Sequence, residues 1–207
     1  MKQKTNNNSS NSSSPPMEGL GEAIIQVENL TKQFGSFTAV KGITFDVYKG
    51  EIFGFLGANG AGKTTAMKML IGISNPTSGK ANVAGLDVAT QADLVKKSIG
   101  YMSQKFSLYD DLTIKENITF FGGIYGLSRK LIKEKTQQLI TKLEMQDVAN
   151  NLVGSLPLGW KQKLSFSVAL LHEPKIVFLD EPTGGVDPIT RRQFWEMIYT
   201  QAYKGTT

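Results

Sequence analysis

The sequence contains no cysteine, a single histidine and no uninterrupted apolar run long enough to cross a bilayer. Without cysteine there is no disulfide framework, no thiolate nucleophile and no zinc finger. The one histidine, His172, excludes a histidine-rich metal site, and a Ser-His-Asp hydrolase would have to be built on that residue. A spanning helix needs about 20 mostly apolar residues, and a secretory signal needs an apolar stretch of about 7–15 near the start. This chain starts MKQKTNNNSSNSSSPP instead. From these absences we expect a chain that lies in the cytosol or on the cytosolic side of something else, and the lack of cysteine agrees with a reducing compartment.

What is present is enough apolar material for one core. The chain has 207 residues, 40% of them hydrophobic, and carries 23 Lys and Arg against 18 Asp and Glu. The net charge of +5 fits a protein that meets phosphates or anionic lipid, and equally an ordinary solvated surface. Residues 6–14 are all Asn or Ser, followed by Pro15 and Pro16. Such a stretch buries too little apolar surface to offset its ordering entropy, so residues 1–22 are expected to be a disordered tail or linker.

From Ile24 the pattern turns structural. Ile24–Val27 reads as a short strand, and Ile43, Phe45 and Val47 alternate with Thr44 and Asp46 as in a half-buried strand. Lys49-Gly50 turns the chain into Ile52–Leu56, read as a buried strand. A helix is expected over Thr64–Ile71, ended by Gly72. Thr113 and Glu116 have the spacing of a capping box for a helix through Tyr125. Ile132, Leu139 and Leu143 put an apolar stripe on another helix. Trp160, Leu164, Val168 and Leu171 do the same on a third, with Pro174 beyond it. Ile176–Leu179 reads as a buried strand, and Asp187-Pro188 as the cap and first turn of a helix carrying Phe194, Trp195 and Ile198. No internal repeat is visible. The order predicts an α/β fold whose core is interrupted by a helical insert at about 90–170.

Two segments carry chemistry. Gly57-Ala58-Asn59-Gly60-Ala61-Gly62-Lys63-Thr64 matches G-x-x-x-x-G-K-[ST], with Thr65 following. Phosphate is multiply anionic and needs many converging donors. Glycines let successive backbone N–H groups point inward, the helix that follows adds its positive end, Lys63 adds a point charge and Thr64 a hydroxyl suited to Mg²⁺. A buried strand before the loop and a helix after it are the context this motif requires. The second segment is Asp180-Glu181, at the end of the apolar run 176–179. Asp180 is placed to hold Mg²⁺ and Glu181 to accept a proton from an attacking water, whereas alone the pair would be an ordinary acidic strand end. The interval from Lys63 to Asp180 is too long for one crossover helix, so an insertion separates the two halves of the site.

In order, GANGAGKTT at 57–65, YMSQKFSLYDDLT at 101–113, LPLGWKQKLS at 156–165 and IVFLDEPTGGVDP at 176–188 resemble the nucleotide-binding domain of ATP-binding-cassette (ABC) transporters. The resemblance covers residues 24–207, and the wording of the third and fourth segments is most similar to the drug-export branch, in particular the second cassette of tandem proteins. It implies a P-loop NTPase core with a mixed sheet over residues 23–207, and ATP and Mg²⁺ as ligands. It further implies ATP hydrolysis that drives export, membrane-spanning permease subunits and a second nucleotide-binding domain as partners, no nucleic acid, and a peripheral place on the cytoplasmic side of the membrane. By position, Phe34 matches the aromatic that stacks on adenine, though a core Phe near a strand end would read the same. Gln104 matches the glutamine that contacts Mg²⁺ and the attacking water. Phe106, Leu108, Tyr109 and Leu112 are candidates for gripping a membrane subunit or for ordinary core packing. His172 precedes the acidic strand and is read as a structural histidine at a helix end, aided by the helix dipole.

The sequence departs from the family pattern twice. Against LSGGQ, Pro157 stands at the serine and Leu158 at the first glycine, leaving Gly159 as the partner-facing signature residue. Proline lacks both the hydroxyl and the backbone N–H. The switch histidine, expected after a further strand downstream of Asp187, is not in the sequence. The cassette is therefore expected to be C-terminally incomplete, binding nucleotide poorly or hydrolysing it slowly by itself. Other readings are a degenerate binding module without turnover, a soluble ABC ATPase of translation or DNA repair, and a P-loop kinase. No sustained heptads support the repair class, the Asn/Ser tail has the wrong composition for the translation class, and signature-like residues before the acidic strand argue against the kinase.

Overall fold

The computed structural model describes residues 21–58, 60–103 and 108–207. The expected tail, apart from its last two residues, lies outside them, as do Asn59, Gln104 and Phe106. Two long strands, β1 (Ala23–Phe34) and β2 (Phe37–Tyr48), form an antiparallel hairpin. With β3 (Ser78–Val83) and β4 (Leu86–Asp87) they make a four-stranded antiparallel sheet of order β2-β1-β3-β4. A second sheet is a parallel pair, β5 (Ile99–Met102) and β6 (Ile176–Leu179). Between the sheets' strands run α1 (Lys63–Leu70) and α2 (Ala92–Ser98). Then come α3 (Ile114–Ile124), α4 (Arg129–Lys142), α5 (Leu158–Ala169) and, after β6, α6 (Pro188–Tyr203).

Three apolar clusters divide the interior. The first packs the inward faces of the antiparallel sheet, through Val27, Leu30 and Val83, against Met69 and Leu70 of α1 and against Ile99 and Ile176. The second joins Ile114, Ile118, Ile140, Met145 and Leu164 among α3, α4 and α5. The third sets Phe194 and Ile198 of α6 against Phe166 and Met102. The second cluster draws its residues from Leu108 to Leu171, while β5, inside the range 90–170, pairs with β6. Gly100 on β5 makes that junction close: a Cβ there would come within 2.4 Å of the Ala169 carbonyl oxygen at the end of α5.

Local chemistry explains the helix ends. Thr113 accepts from the Glu116 backbone N–H while Glu116 accepts from Thr113 N–H at 2.8 Å, the reciprocal capping box expected for α3. Asp187 caps α6 by accepting from Ile189 and Thr190, with Pro188 next in the chain. Asn117, fully buried on α3, accepts from Tyr109 N–H at 2.8 Å and donates to the carbonyls of Tyr109, Leu112 and Thr113. One side chain thus satisfies the segment that leads into α3. The third apolar stripe forms α5, which stops at Ala169, before Pro174; Trp160 is partly exposed and Leu164, Val168 and Leu171 are buried.

One expectation fails. Ile52–Leu56 is not a buried strand: it has no strand pairing, and Ile52, Phe53 and Leu56 are exposed. Phe53 stacks on Phe45 of β2 at 5.0 Å between ring centroids, and Phe55 meets both rings edge-on. A strand needs a row of backbone partners within bonding reach. Here Phe53 and Phe55 wall a cavity of about 360 Å³ that Val177 and Leu179 also line, and the segment forms no ladder with β6. Val177 N–H and Lys175 C=O bond Thr207 instead.

His172 is structural, but the dipole is not its main influence. Its ring stacks on Tyr125 at 3.9 Å, and Nε2–H donates to the Ile99 carbonyl at 3.1 Å, leaving Nδ1 buried without a hydrogen-bond partner among the described residues. Burial pushes its pKa below the ordinary 6.5, opposed by the Ile99 hydrogen bond and assisted by Lys135.

Two outcomes are expected. Asn117→Ala should lower unfolding free energy in urea by about 2–3 kcal/mol, because it strands several buried backbone groups; a loss under about 1 kcal/mol would deny it that role. As pH falls through about 6.5 the unfolded chain takes up the His172 proton first, so stability is complete above that pH and declines below it. The melting temperature should therefore fall from pH 7 to about 5.5, and His172→Phe should flatten that interval; equal slopes for both proteins would assign the effect elsewhere.

Candidate functional site

The phosphate loop is seated by backbone contact. Gly62 adopts φ +85 at the start of α1, and a Cβ on it would lie 2.2 Å from the Ala39 carbonyl oxygen of β2. Any side chain there would both strain the left-handed backbone and push the loop off the hairpin. Ala66 N–H donates to Gly62 C=O at 2.8 Å, which opens the helix directly behind the loop. Lys63 folds back over it, its Nζ donating to the carbonyls of Gly57 at 2.6 Å and Ala58 at 2.8 Å. The ammonium is thereby held at the mouth of the loop. Ala61 N–H donates to Ala58 C=O at 3.2 Å, and Gly60 has φ +81, so the loop curls as its glycines require. Thr65 is half-buried in the first turn of α1.

The acidic end is positioned by β6. Asp180 N–H donates to the Met102 carbonyl at 2.9 Å, continuing the parallel pairing of β5 and β6 one residue past the strand. Glu181 follows with φ +49, an uncommon conformation for a residue with a Cβ, and Gly184 N–H closes the turn by donating to Glu181 C=O at 3.1 Å. Lys63, Thr64, Asp180 and Glu181 wall the same cavity of about 360 Å³. The two chemical segments, distant in sequence, are therefore brought to one place. Burial raises the Asp180 pKa, the neighbouring Glu181 charge raises it further, and Lys68 opposes both. A carboxylate so placed gains from a nearby cation.

Other predicted residues stand apart from that cavity. Phe34 ends β1 at the hairpin tip, 54% exposed, with the Lys32 ammonium 5.1 Å from its ring centroid, within cation–π range. Its exposure leaves a flat ring face available, and it is not a core residue. Gly159 lies in the first turn of α5, where a Cβ would come within 2.6 Å of Thr190 Cγ2 on α6, so the glycine also permits close helix approach. Pro157 is the N-cap of α5 and supplies no side-chain cap. Tyr109 packs edge-on against Phe120 at 5.0 Å and remains half exposed, while Leu108 is buried in the second core.

One residue escaped the sequence reading. Gln162 of α5 is 2% exposed, and its Nε2 donates to the Gly184 carbonyl at 3.3 Å, in the turn that follows Glu181. Its signal was a lone amide one helical turn before Phe166 and two before Ala169, both buried.

Known proteins share this arrangement. The ABC transporter family profile matches residues 40–184. The chain is 47% identical over 187 residues, 90% of its length, to the Escherichia coli K12 protein named "Probable multidrug ABC transporter ATP-binding protein YbhF", of which that match covers 32%. It is 37% identical to the Nod factor export ATP-binding protein I of Rhizobium sp. strain N33, over 91% of this chain and 62% of that one. The chain thus spans about a third of the first of these relatives and less than two thirds of the second. The solved structure of an ATP binding subunit of an ABC transporter aligns with a TM-score of 0.78 at 27% identity, covering 88% of this chain and 76% of that one. With Lys63 and Thr64 at the end of its glycine loop meeting Asp180 and Glu181 at one cavity, and with most of its length inside the matched span, the chain belongs to the ABC transporter family, as an ATP-binding domain of α/β fold.

Proposed function

We propose that this chain binds and hydrolyses ATP to energise export across a membrane, working on the cytoplasmic face with permease subunits and a second cassette. The observation that carries the reading is the convergence of Lys63, Thr64, Asp180 and Glu181 on one cavity. The export sense is supported by the names of the YbhF and Nod factor relatives. No helix among the described residues is long and apolar enough to cross a membrane, so transport needs another component to form the path.

The chemistry assigned to the site is phosphoryl transfer to water. The loop N–H groups and Lys63 bind and orient the triphosphate, and the same charges stabilise the negative charge spread over the transferring group. A water oxygen bonds to the γ-phosphorus as its bond to the β–γ bridging oxygen breaks, releasing ADP and phosphate. Glu181 takes the water's proton. Phe34 is the proposed stacking partner for adenine, where a flat ring gains contact without reading much chemistry. Among the described residues no group of three or more acidic or histidine side chains could cage a metal. That suits Mg²⁺, which keeps several waters and takes one or two protein oxygens beside the phosphates. Thr64 and Asp180 would hold it, together with Gln104 by resemblance, and its charge would offset that of the phosphates. Gly159 is proposed to face the nucleotide of the second cassette.

A second reading, nucleotide binding without turnover, is favoured by one observation: the residue at the start of α5 is Pro157, which has neither a hydroxyl nor a backbone N–H to donate to a phosphate. Steady-state ATP hydrolysis measured beside calorimetric binding of magnesium nucleotide separates the two. Lys63→Ala should weaken nucleotide binding by about tenfold or more, through the lost charge. Glu181→Gln should lower kcat by about a hundredfold or more while leaving binding within about twofold, and unchanged turnover would remove Glu181 from the mechanism. Pro157→Ser should change turnover little, because the helix end still offers N–H groups to an anion. A rise of about tenfold or more would mean the missing donor is not compensated.

A further inference from the structure

The Gln162 amide is the anomaly. It lies in the interior, 2% exposed, yet only one end of it is satisfied: Nε2 donates to Gly184 C=O, and Oε1 is buried with no partner among the described residues. The orientation follows from chemistry, since only the amino end can donate to a carbonyl. For packing alone, Leu or Met would fill the same volume without an unmet acceptor. What the amide adds is a tether from helix α5 to the turn that holds Glu181.

That turn needs fixing. Glu181 sits at φ +49, Gly184 N–H returns to the Glu181 carbonyl, and Gly185 follows at φ +75. Two adjacent glycines make the segment pliable, so the carboxylate's direction depends on what the turn is tied to. A second cavity of about 360 Å³ lies alongside, lined by Ser103, Leu158, Gln162, Glu181 and Gly184. The tether's other end is close to Leu158 and Trp160, which are partly exposed in the first turn of α5.

We propose that Gln162 is a positioning residue for hydrolysis: through its bond to the Gly184 carbonyl it sets the Glu181 turn and couples it to the exposed N-terminal turn of α5. This rests on Glu181 acting as the base. Gln162 does not line the cavity walled by Lys63, Thr64, Asp180 and Glu181, so its effect should fall on kcat and not on KM.

The test measures ATP turnover and melting temperature of the full chain with magnesium ATP, using Gln162→Met, Gln162→Glu and, as a separate control, Glu181→Gln. Gln162→Met should leave KM within twofold and the melting temperature equal or higher, while kcat falls at least tenfold. A kcat within twofold of the parent overturns the proposal. Where Gln162→Met does not fold, Gln162→Glu decides. Its protonated acid can donate to Gly184 C=O and its carboxylate cannot; a free glutamate titrates at about 4.3 and burial raises that value, so its kcat relative to the parent should rise at least fivefold as pH is lowered from 9 to 5. A ratio flat with pH overturns the proposal. If Glu181→Gln keeps parental turnover, the assignment of the base fails on its own, whatever Gln162 does.

Discussion

The short parallel ladder between β5 and β6 holds the rest together. Four residue pairs, from Ile99–Ile176 to Met102–Leu179, join a strand that enters from α2 to one that exits toward Asp180. Ile99 and Ile176 belong to the core beneath the antiparallel sheet, and Met102 to the core beneath α6. The ladder therefore ties two apolar clusters together, and the Gly100 contact with the end of α5 ties in the helical layer. Because the strands are parallel, both carboxyl ends point the same way. Ser103 and Asp180 leave the sheet side by side, the arrangement in which α/β proteins place ligands.

The phosphate loop reaches that edge from a different sheet. Its seat is the contact of Gly62 with the Ala39 carbonyl, and its lysine is held by two loop carbonyls. The site is thus assembled from two independently supported halves. Apolar burial under the hairpin places one, and ladder geometry places the other. Burial and the neighbouring Glu181 charge raise the Asp180 pKa at this junction, and a cationic ligand would relieve that cost.

The helical layer has its own logic. Asn117 replaces regular structure as the hydrogen-bond partner of the segment 109–113, and His172 bridges Tyr125 to Ile99. Both are polar groups inside apolar surroundings, so each specifies one arrangement of helices against sheet where apolar contacts alone would allow several. Gln162 extends the same principle to the acidic turn. His172 and Gln162 thus each link a residue of the helical layer to another part of the chain.

Local signals were legible in the sequence because they depend on near neighbours. The Thr113–Glu116 box, the Asp187 cap and the alternation in β2 each arise within a few residues and formed where expected. The failure at Ile52–Leu56 has the opposite character. A run of apolar residues is compatible with a buried strand, but strand formation requires an edge to pair with, and here Phe45 took the aromatic rings and a cavity intervened. Composition and spacing therefore determined which segments carry the glycine-lysine motif, the acidic strand end and the helix caps. Only the tertiary structure decided that Lys63 and Thr64 share one cavity with Asp180 and Glu181, that Gly62 and Gly159 are close-approach positions, and that Gln162 reaches Gly184. Those outcomes rest on contacts between residues far apart in the chain, whose geometry no local pattern encodes.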